Sequence, residues 1–238
     1  MQQESYPAEL LESMDALSRL VTSEETVEST VARICELAVH AIPSVDICSS
    51  SLARRGKITT VAATDDIARV MDQIQYDTGQ GPCLSSIEER ATFLIADMHE
   101  DQTWPEFSKR AATETEIRCL LAFVLQIGSD ALGALNLISL QPDAFDEDDQ
   151  STGAVFASQA AVALANALTH EQSERTITEL EGGMHTRQVV GQAIGILMAS
   201  RHVDSEAAFD ILKRISQRTN VKLRDISQQL VKRANEIT

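Results

Sequence analysis

Charge is divided unevenly along this chain of 238 residues, and the division coincides with a change of hydrophobic period. From His185 to Thr238 there are nine Lys/Arg against five Asp/Glu, a net of +4, whereas the whole chain carries −16, which leaves −20 on residues 1 to 184. Within the basic part, the stretch from Arg187 to Arg233 reads as three successive amphipathic helices. A small basic helical module on a strongly acidic body limits where a polyanion can be met. The acidic body repels one, so such a contact must be local to the C-terminal part.

The length suits one medium domain plus a small one. Hydrophobic content of 43% and charged content of 24% are those of a globular chain with a buried core. There is no run of eighteen apolar residues, so no membrane-crossing helix is expected. The start, MQQESYPAEL, lacks the basic and apolar regions of a secretory signal, and a cytoplasmic location is the expectation. Cys35, Cys48, Cys83 and Cys119 lie far apart, which argues against a disulfide framework or a zinc knuckle and for four small buried side chains.

Periodicity predicts helices over residues 7–21 and 24–42, with Ser23 before an acidic first turn and Pro43 ending the second. Residues 46–52 and 57–63 read as a hairpin about ARRG, and 117–127 with 131–140 as a second about GSD. Between them come a helix over 66–75, the loop TGQGPC with a short helix after it, and a brief strand at 92–96. A long helix opens at FDEDDQ, where its acids suit the helix dipole, and continues through alanine-rich sequence with a thin apolar seam. Gly182-Gly183 is either a hinge in it or its end. The expected class is α+β: an antiparallel sheet flanked by helices, a long connecting helix, then a small all-α three-helix module.

Two stretches carry a family resemblance. Gly79-Gln80-Gly81-Pro82-Cys83, Asp97, Trp104-Pro105 with Phe107, and Gly133-Ala134-Leu135-Asn136-Leu137 resemble the GAF domain of actinobacterial GAF–ANTAR proteins. Gly191-Gln192-Ala193, Gly195-Ile196-Leu197-Met198, Ala207-Ala208-Phe209, Leu212, Ser216, Arg218-Thr219-Asn220 and Leu223-Arg224-Asp225 resemble the ANTAR domain. The resemblance divides the chain into an N-terminal helix (1–22), a GAF sensor domain (23–168), a helical linker (169–184) and an ANTAR domain (185–238). It implies a GAF sensory or dimerisation module and a three-helix RNA binder that holds paired stem-loops and keeps a terminator from forming. Many ANTAR sequences have a lysine or another polar residue where this chain has Ile194, so no RNA contact is carried to that position.

The residues supply their own candidates. On a helix over 208–219, Ala208, Ile211, Leu212 and Ile215 form an apolar face, with Asp204 as N-cap and Arg214 and Arg218 on one flank. On a helix over 222–234, Leu223, Ile226, Ser227 and Leu230 face inward, and Lys222, Gln229 and Arg233 form a polar stripe. Arg214, Arg218, Lys222 and Arg233 are therefore the candidate RNA-binding residues, set against a plain solvated surface. Gly191, Ala193 and Gly195 are expected to permit close helix packing, and Phe209, at the edge of the apolar face, to pack in the core, with stacking on an unpaired RNA base as the alternative.

In the sheet domain, Gly79 and Gly81 are expected at positive φ and Pro82 at the first helical position. Cys83 and Trp104 are the candidates for a ligand pocket. Cys83 is a redox-sensitive thiol if its helix N-terminus lowers the pKa, and otherwise a buried small side chain. Trp104 is read as a hydrophobic plug with a hydrogen-bonded indole. No catalytic or metal-binding signature is found, and the five histidines lack ligand spacing. No cofactor is expected, although the resemblance leaves room for a small-molecule signal. The partners expected are RNA stem-loops and a second copy of the chain. The alternative is a sensor whose C-terminal helices contact a protein.

Overall fold

The computed structural model describes residues 8–21 and 25–235. Two compact units divide after Glu171. The first begins with helices α1 (Ala8–Leu20) and α2 (Val27–Ala41) and the hairpin β1 (Ile47–Arg54) and β2 (Lys57–Ala63). Next come α3 (Asp66–Thr78), α4 (Pro82–Glu89), β3 (Phe93–Ile95), α5 (Pro105–Glu114), β4 (Cys119–Ile127) and β5 (Asp130–Ser139). Helix α6 (Glu147–Arg201) starts in this unit and ends in the second, which adds α7 (Ser205–Thr219) and α8 (Leu223–Asn235).

The α+β class is as expected. The sheet has five strands in the order β2-β1-β5-β4-β3, and every neighbouring pair is antiparallel. Its central strands are buried on both faces, so alternate side chains enter two different cores. Cys48, Leu52, Leu121, Phe123, Leu135 and Leu137 join one cluster with α1, α2 and the start of α6. Ile47, Leu120 and Ile138 face the other way and pack with Ala68, Met71, Ile74, Phe107 and Ala111 of α3 and α5.

Local chemistry explains most boundaries. Thr26 caps α2 by accepting from the Ser29 N–H; Ser23 and Glu24, expected at that end, lie outside the described residues. The β1–β2 turn is Arg55-Gly56, both at positive φ (52° and 76°), which matches the twist of a two-residue hairpin. Asp65 caps α3. Helix α5 was not expected from the sequence: only Phe107, Ser108 and Ala111 are buried on its short length, too thin a stripe to register as a period.

By composition, an 18-residue window within Glu147–Thr178 of α6 is apolar enough to cross a bilayer, with mean hydropathy 1.2. Its apolar face is instead part of the sheet's core: Phe156, Ala160, Ala163 and Leu164 are fully buried there. Small side chains bring the helix close, and Gly153 lies against the Phe123 ring, where a Cβ would stand 2.6 Å from it. Gly182-Gly183 does not end the helix, which continues through the pair to Arg201.

In the second unit, Ala193 and Leu197 of α6 pack with Ala208 and Leu212 of α7. Ile194, Ile211, Leu223, Ile226 and Leu230 close around them. Asp204 caps α7 through the Ala207 N–H at 2.8 Å, as expected. Gly191 and Gly195 do not mediate packing: a Cβ on either would meet nothing within 4 Å, and Ala193 alone of the three is buried. Phe209 is likewise not a core residue, being 40% exposed.

Replacing Phe156 with alanine should lower unfolding free energy by about 3–5 kcal/mol, measured by urea denaturation of the full chain. A loss below about 1 kcal/mol would show that α6 is not integral to the core.

Candidate functional site

Two arrangements in the fold carry chemistry, one in each unit. In the C-terminal unit, α7 and α8 each bury one stripe and leave the rest to solvent. Arg214, Arg218, Lys222 and Arg233 are all exposed, and among the described residues none of them forms an ion pair. The Arg214 Nε donates to the Asp210 carbonyl at 3.3 Å. Asn220, at φ 53°, ends α7, and the Ser216 hydroxyl donates to the Val221 carbonyl at 2.7 Å, which fixes the turn that carries Lys222.

The helices leave an open apolar groove of about 590 Å³, lined by Leu197, Ile211, Ile215, Ile226 and Leu230. Arg201 and Arg233 also line it. Of the four selected cations, Arg233 alone borders this groove. Its companion there, Arg201, comes from the end of α6 and was not selected from the sequence. Ile194 packs against the helical core, which accounts for an apolar residue at that position.

In the sheet unit, a polar network is enclosed between the sheet and α3. Period-two alternation sends Ser49 and Ser51 of β1 and Asn136 of β5 to the same face. There they meet Asp72, which is fully buried. Asp72 accepts from Thr60 Oγ1 at 2.8 Å, Asn136 Nδ2 at 2.9 Å and Gln75 Nε2 at 3.4 Å. Asn136 Nδ2 also donates to Ser49 Oγ at 3.2 Å. The Tyr76 hydroxyl is hydrogen-bonded to Ser51 Oγ at 2.6 Å and to Thr60 Oγ1 at 2.8 Å. Burial disfavours the charged carboxylate and raises the Asp72 pKa from 3.8 to about 6, against the lowering effect of Thr60, Ser49 and Asn136.

The TGQGPC loop closes one side of this network. Gly79 and Gly81 take positive φ (65° and 137°) and Pro82 opens α4, as the sequence indicates. A Cβ on Gly81 would collide with the Gln75 side chain. Gly81 offers no side-chain cap, and Gln75 supplies one instead, its Oε1 accepting from the Cys83 N–H at 2.9 Å. Gln80 does the same for α5, accepting from the Glu106 N–H at 3.1 Å.

Cys83 is fully buried, and burial followed by the nearby Asp72 charge pushes its thiol up to about 12. Its place at a helix N-terminus does not make a reactive thiolate, because desolvation outweighs the dipole. Trp104 is nearly buried. Its indole donates to Ser85 Oγ at 3.1 Å, and its ring meets Phe93 edge-on at 5.6 Å. Neither Cys83 nor Trp104 is hydrogen-bonded by its side chain to Asp72. The central residues, Asp72 and Asn136, were missed. Their signals were present: an acid four residues from Ala68 on an apolar helix face, and an amide inside the apolar run GALNLISL.

The fold and these two arrangements define a two-part protein, a sheet domain with a polar interior joined to a basic helical module. The chain belongs to the GAF domain family, which matches residues 24–165, and carries an ANTAR domain over residues 178–231. Both are regulatory domain types, a sensory part and an RNA-binding output.

Among solved structures it is similar to the GAF domain of a phosphoenolpyruvate-protein phosphotransferase from Coxiella burnetii, at 17% identity and TM-score 0.53, over 69% of this chain and 97% of that one. It is also similar to fRMsr of Staphylococcus aureus in its reduced form, at 14% identity and TM-score 0.52, over 66% and 96%. A third is a domain of a two-component sensor histidine kinase protein from Sinorhizobium meliloti, at 16% identity and TM-score 0.51, over 63% and 98%. These likenesses establish the fold alone. No curated protein matches the chain.

Treating the native chain with iodoacetamide at mildly alkaline pH should leave Cys83 unmodified, with alkylation appearing only on unfolding, as read by peptide mass spectrometry. Rapid modification in the folded state would overturn the assignment of a buried, protonated thiol.

Proposed function

We propose that this chain is a cytoplasmic transcription antiterminator, in which the GAF domain receives a signal and the ANTAR domain binds RNA stem-loops. The observation that carries this reading is the set of exposed, unneutralised cations on the ANTAR unit, Arg214, Arg218, Lys222 and Arg233, on a chain that is otherwise strongly acidic. Phosphate contacts need free cations at the surface, and the local excess restricts the contact to this unit. Holding a stem-loop prevents the competing terminator from pairing. No catalytic step enters this reading. The signal is a small molecule or a change of state in the GAF domain, and Trp104 and Cys83 belong to the walls of that domain's interior.

Substituting Arg214, Arg218, Lys222 and Arg233 together with glutamate should abolish stem-loop binding while circular dichroism stays native. Single substitutions should each flatten the salt dependence of binding, by about one unit of log–log slope for every phosphate the protein no longer neutralises. Undiminished binding by the folded fourfold variant would remove these residues from the interface. The apolar groove beside Arg201 and Arg233 supports a second reading, in which the same helices hold a protein partner. Salt-insensitive RNA binding, or none, would favour it.

The chain acts as a homodimer in this proposal. Val155 and Val162, seven residues apart on α6, are exposed, and so are Ile177 and Met184 with the same spacing. Apolar residues repeating every seven suit a helix–helix seam between copies. Two copies offer two RNA-binding units, and linked sites bind paired hairpins through effective concentration. Sedimentation equilibrium at micromolar concentration should give a dimer for wild type and a monomer for the Val155→Glu, Val162→Glu variant. A wild-type monomer would sink the dimer.

A further inference from the structure

The buried network of the GAF domain is short of hydrogen-bond donors. Asp72 presents a carboxylate to a site with no cation in contact, and the Asn136 Oδ1 beside it is buried without a partner. Asn136 has turned its amide nitrogen to the carboxylate, which leaves its oxygen unsatisfied. A buried acceptor without a donor is costly, and a buried charge without a counter-charge more so.

The titratable and charged groups around Asp72 do not relieve this. Arg69, on the same helix, acts only at a distance and is half exposed. Tyr76 on α3, Cys83 on α4 and Cys48 on β1 all have raised pKa values, each with burial as the largest cause, and stay neutral near neutral pH. From β2 and β5 the groups that face it are Thr60 and Asn136, which are uncharged.

A route for a proton is also present. Asp72, Thr60, Tyr76 and Ser51 form a continuous chain of hydrogen bonds, and Thr60 and Tyr76 are only half buried. Every link beyond the carboxylate joins two hydroxyls, and either member of such a pair can donate.

We propose that the Asp72–Thr60–Tyr76–Ser51 chain is a proton-operated switch inside the GAF domain, linking α3 to β2 and β1. With Asp72 ionised, Thr60 donates to the carboxylate, Tyr76 donates to Thr60, and Ser51 donates to Tyr76. When Asp72 takes up one proton from water, the carboxyl O–H becomes the donor to Thr60. Thr60 then donates to Tyr76, and Tyr76 donates to Ser51. One proton enters, no bond between heavy atoms changes, and the direction of three hydrogen bonds reverses. The hydroxyl of Ser51 is released to seek a new acceptor at the strand. The added proton removes the buried charge that no cation compensates, while the Asn136 Oδ1 keeps its unmet acceptor in both states. The switch lies wholly within the GAF domain and operates without RNA.

The full chain, labelled with carbon-13 at aspartate carboxyls and tyrosine ring carbons, is titrated by nuclear magnetic resonance. The Asp72→Asn variant identifies the Asp72 signal and mimics the neutral acid. The Asp72 carboxyl is expected to titrate with a midpoint near 6, and the Tyr76 ring carbon to follow the same midpoint. In Asp72→Asn the Tyr76 signal should be flat and lie at the low-pH value of wild type. Stability has a matching sign. The folded-state pKa is raised above 3.8, so the stabilising contribution is complete below that value and is lost as pH rises through about 6. Wild type should therefore lose stability relative to Asp72→Asn over that window.

Thr60→Val removes a donor to the ionised carboxylate and should move the Asp72 midpoint upward, which provides a test if Asp72→Asn does not fold. An Asp72 midpoint near the ordinary 3.8, a Tyr76 signal that ignores it, or an unchanged midpoint in Thr60→Val would each overturn the switch.

Discussion

The central strands of the GAF domain's sheet are buried on both faces, and the placement of the helices in that unit answers to this. A strand covered on both sides sends alternate side chains into two cores, so the chain must provide a helical layer for each. Helices α1, α2 and the first part of α6 serve one face, and α3 and α5 the other. Helix α6 is drawn into the fold by this demand. Its alanines and Gly153 let it approach Phe123 and Leu137 closely.

The same alternation creates the polar interior. Ser49, Ser51 and Asn136 point toward α3, where Asp72 and Gln75 are buried beside Ala68, Met71 and Ile74. Leucine or alanine at these places would satisfy the sheet equally well. Their polar character is a cost to the core, and a buried carboxylate with an unpartnered amide oxygen beside it is where that cost concentrates. In the ANTAR unit the balance is reversed. Its core is small, made by Ala193, Leu197, Ala208 and Leu212, and Arg214, Arg218, Lys222 and Arg233 are exposed to solvent. The acidic, well-packed domain and the basic, lightly packed one divide the two tasks of input and output between them.

Much of this was legible beforehand, because hydrophobic period and turn chemistry act locally. The two hairpins, the glycine conformations of TGQGPC, the Asp204 cap and the inward faces of α7 and α8 follow from spacing alone. What failed also has local causes. Helix α5 buries too few residues to show a period. Gly191 and Gly195 lie on the solvent side of α6, so smallness there serves no contact within the chain. Phe209, placed by its hydrophobicity, sits outside the buried stripe of Ala208 and Leu212. Gly182-Gly183 weakens a helix without breaking it, since about 1 kcal/mol per glycine is small beside a helix of 55 residues.

By itself, then, the sequence determined the class of fold, the order of its elements, and the segregation of positive charge into residues 185–238. Each is written in patterns only a few residues long or in net charge. The tertiary structure alone decided which distant residues share an environment. It joined Asp72 to Asn136 and Thr60 across three elements, set Gln75 and Gln80 as caps for helices they do not belong to, and brought Arg201 to the same groove as Arg233. It also turned Cys83 from a candidate reactive thiol into a buried neutral one, because desolvation depends on what surrounds a group in space and not on its neighbours in the chain.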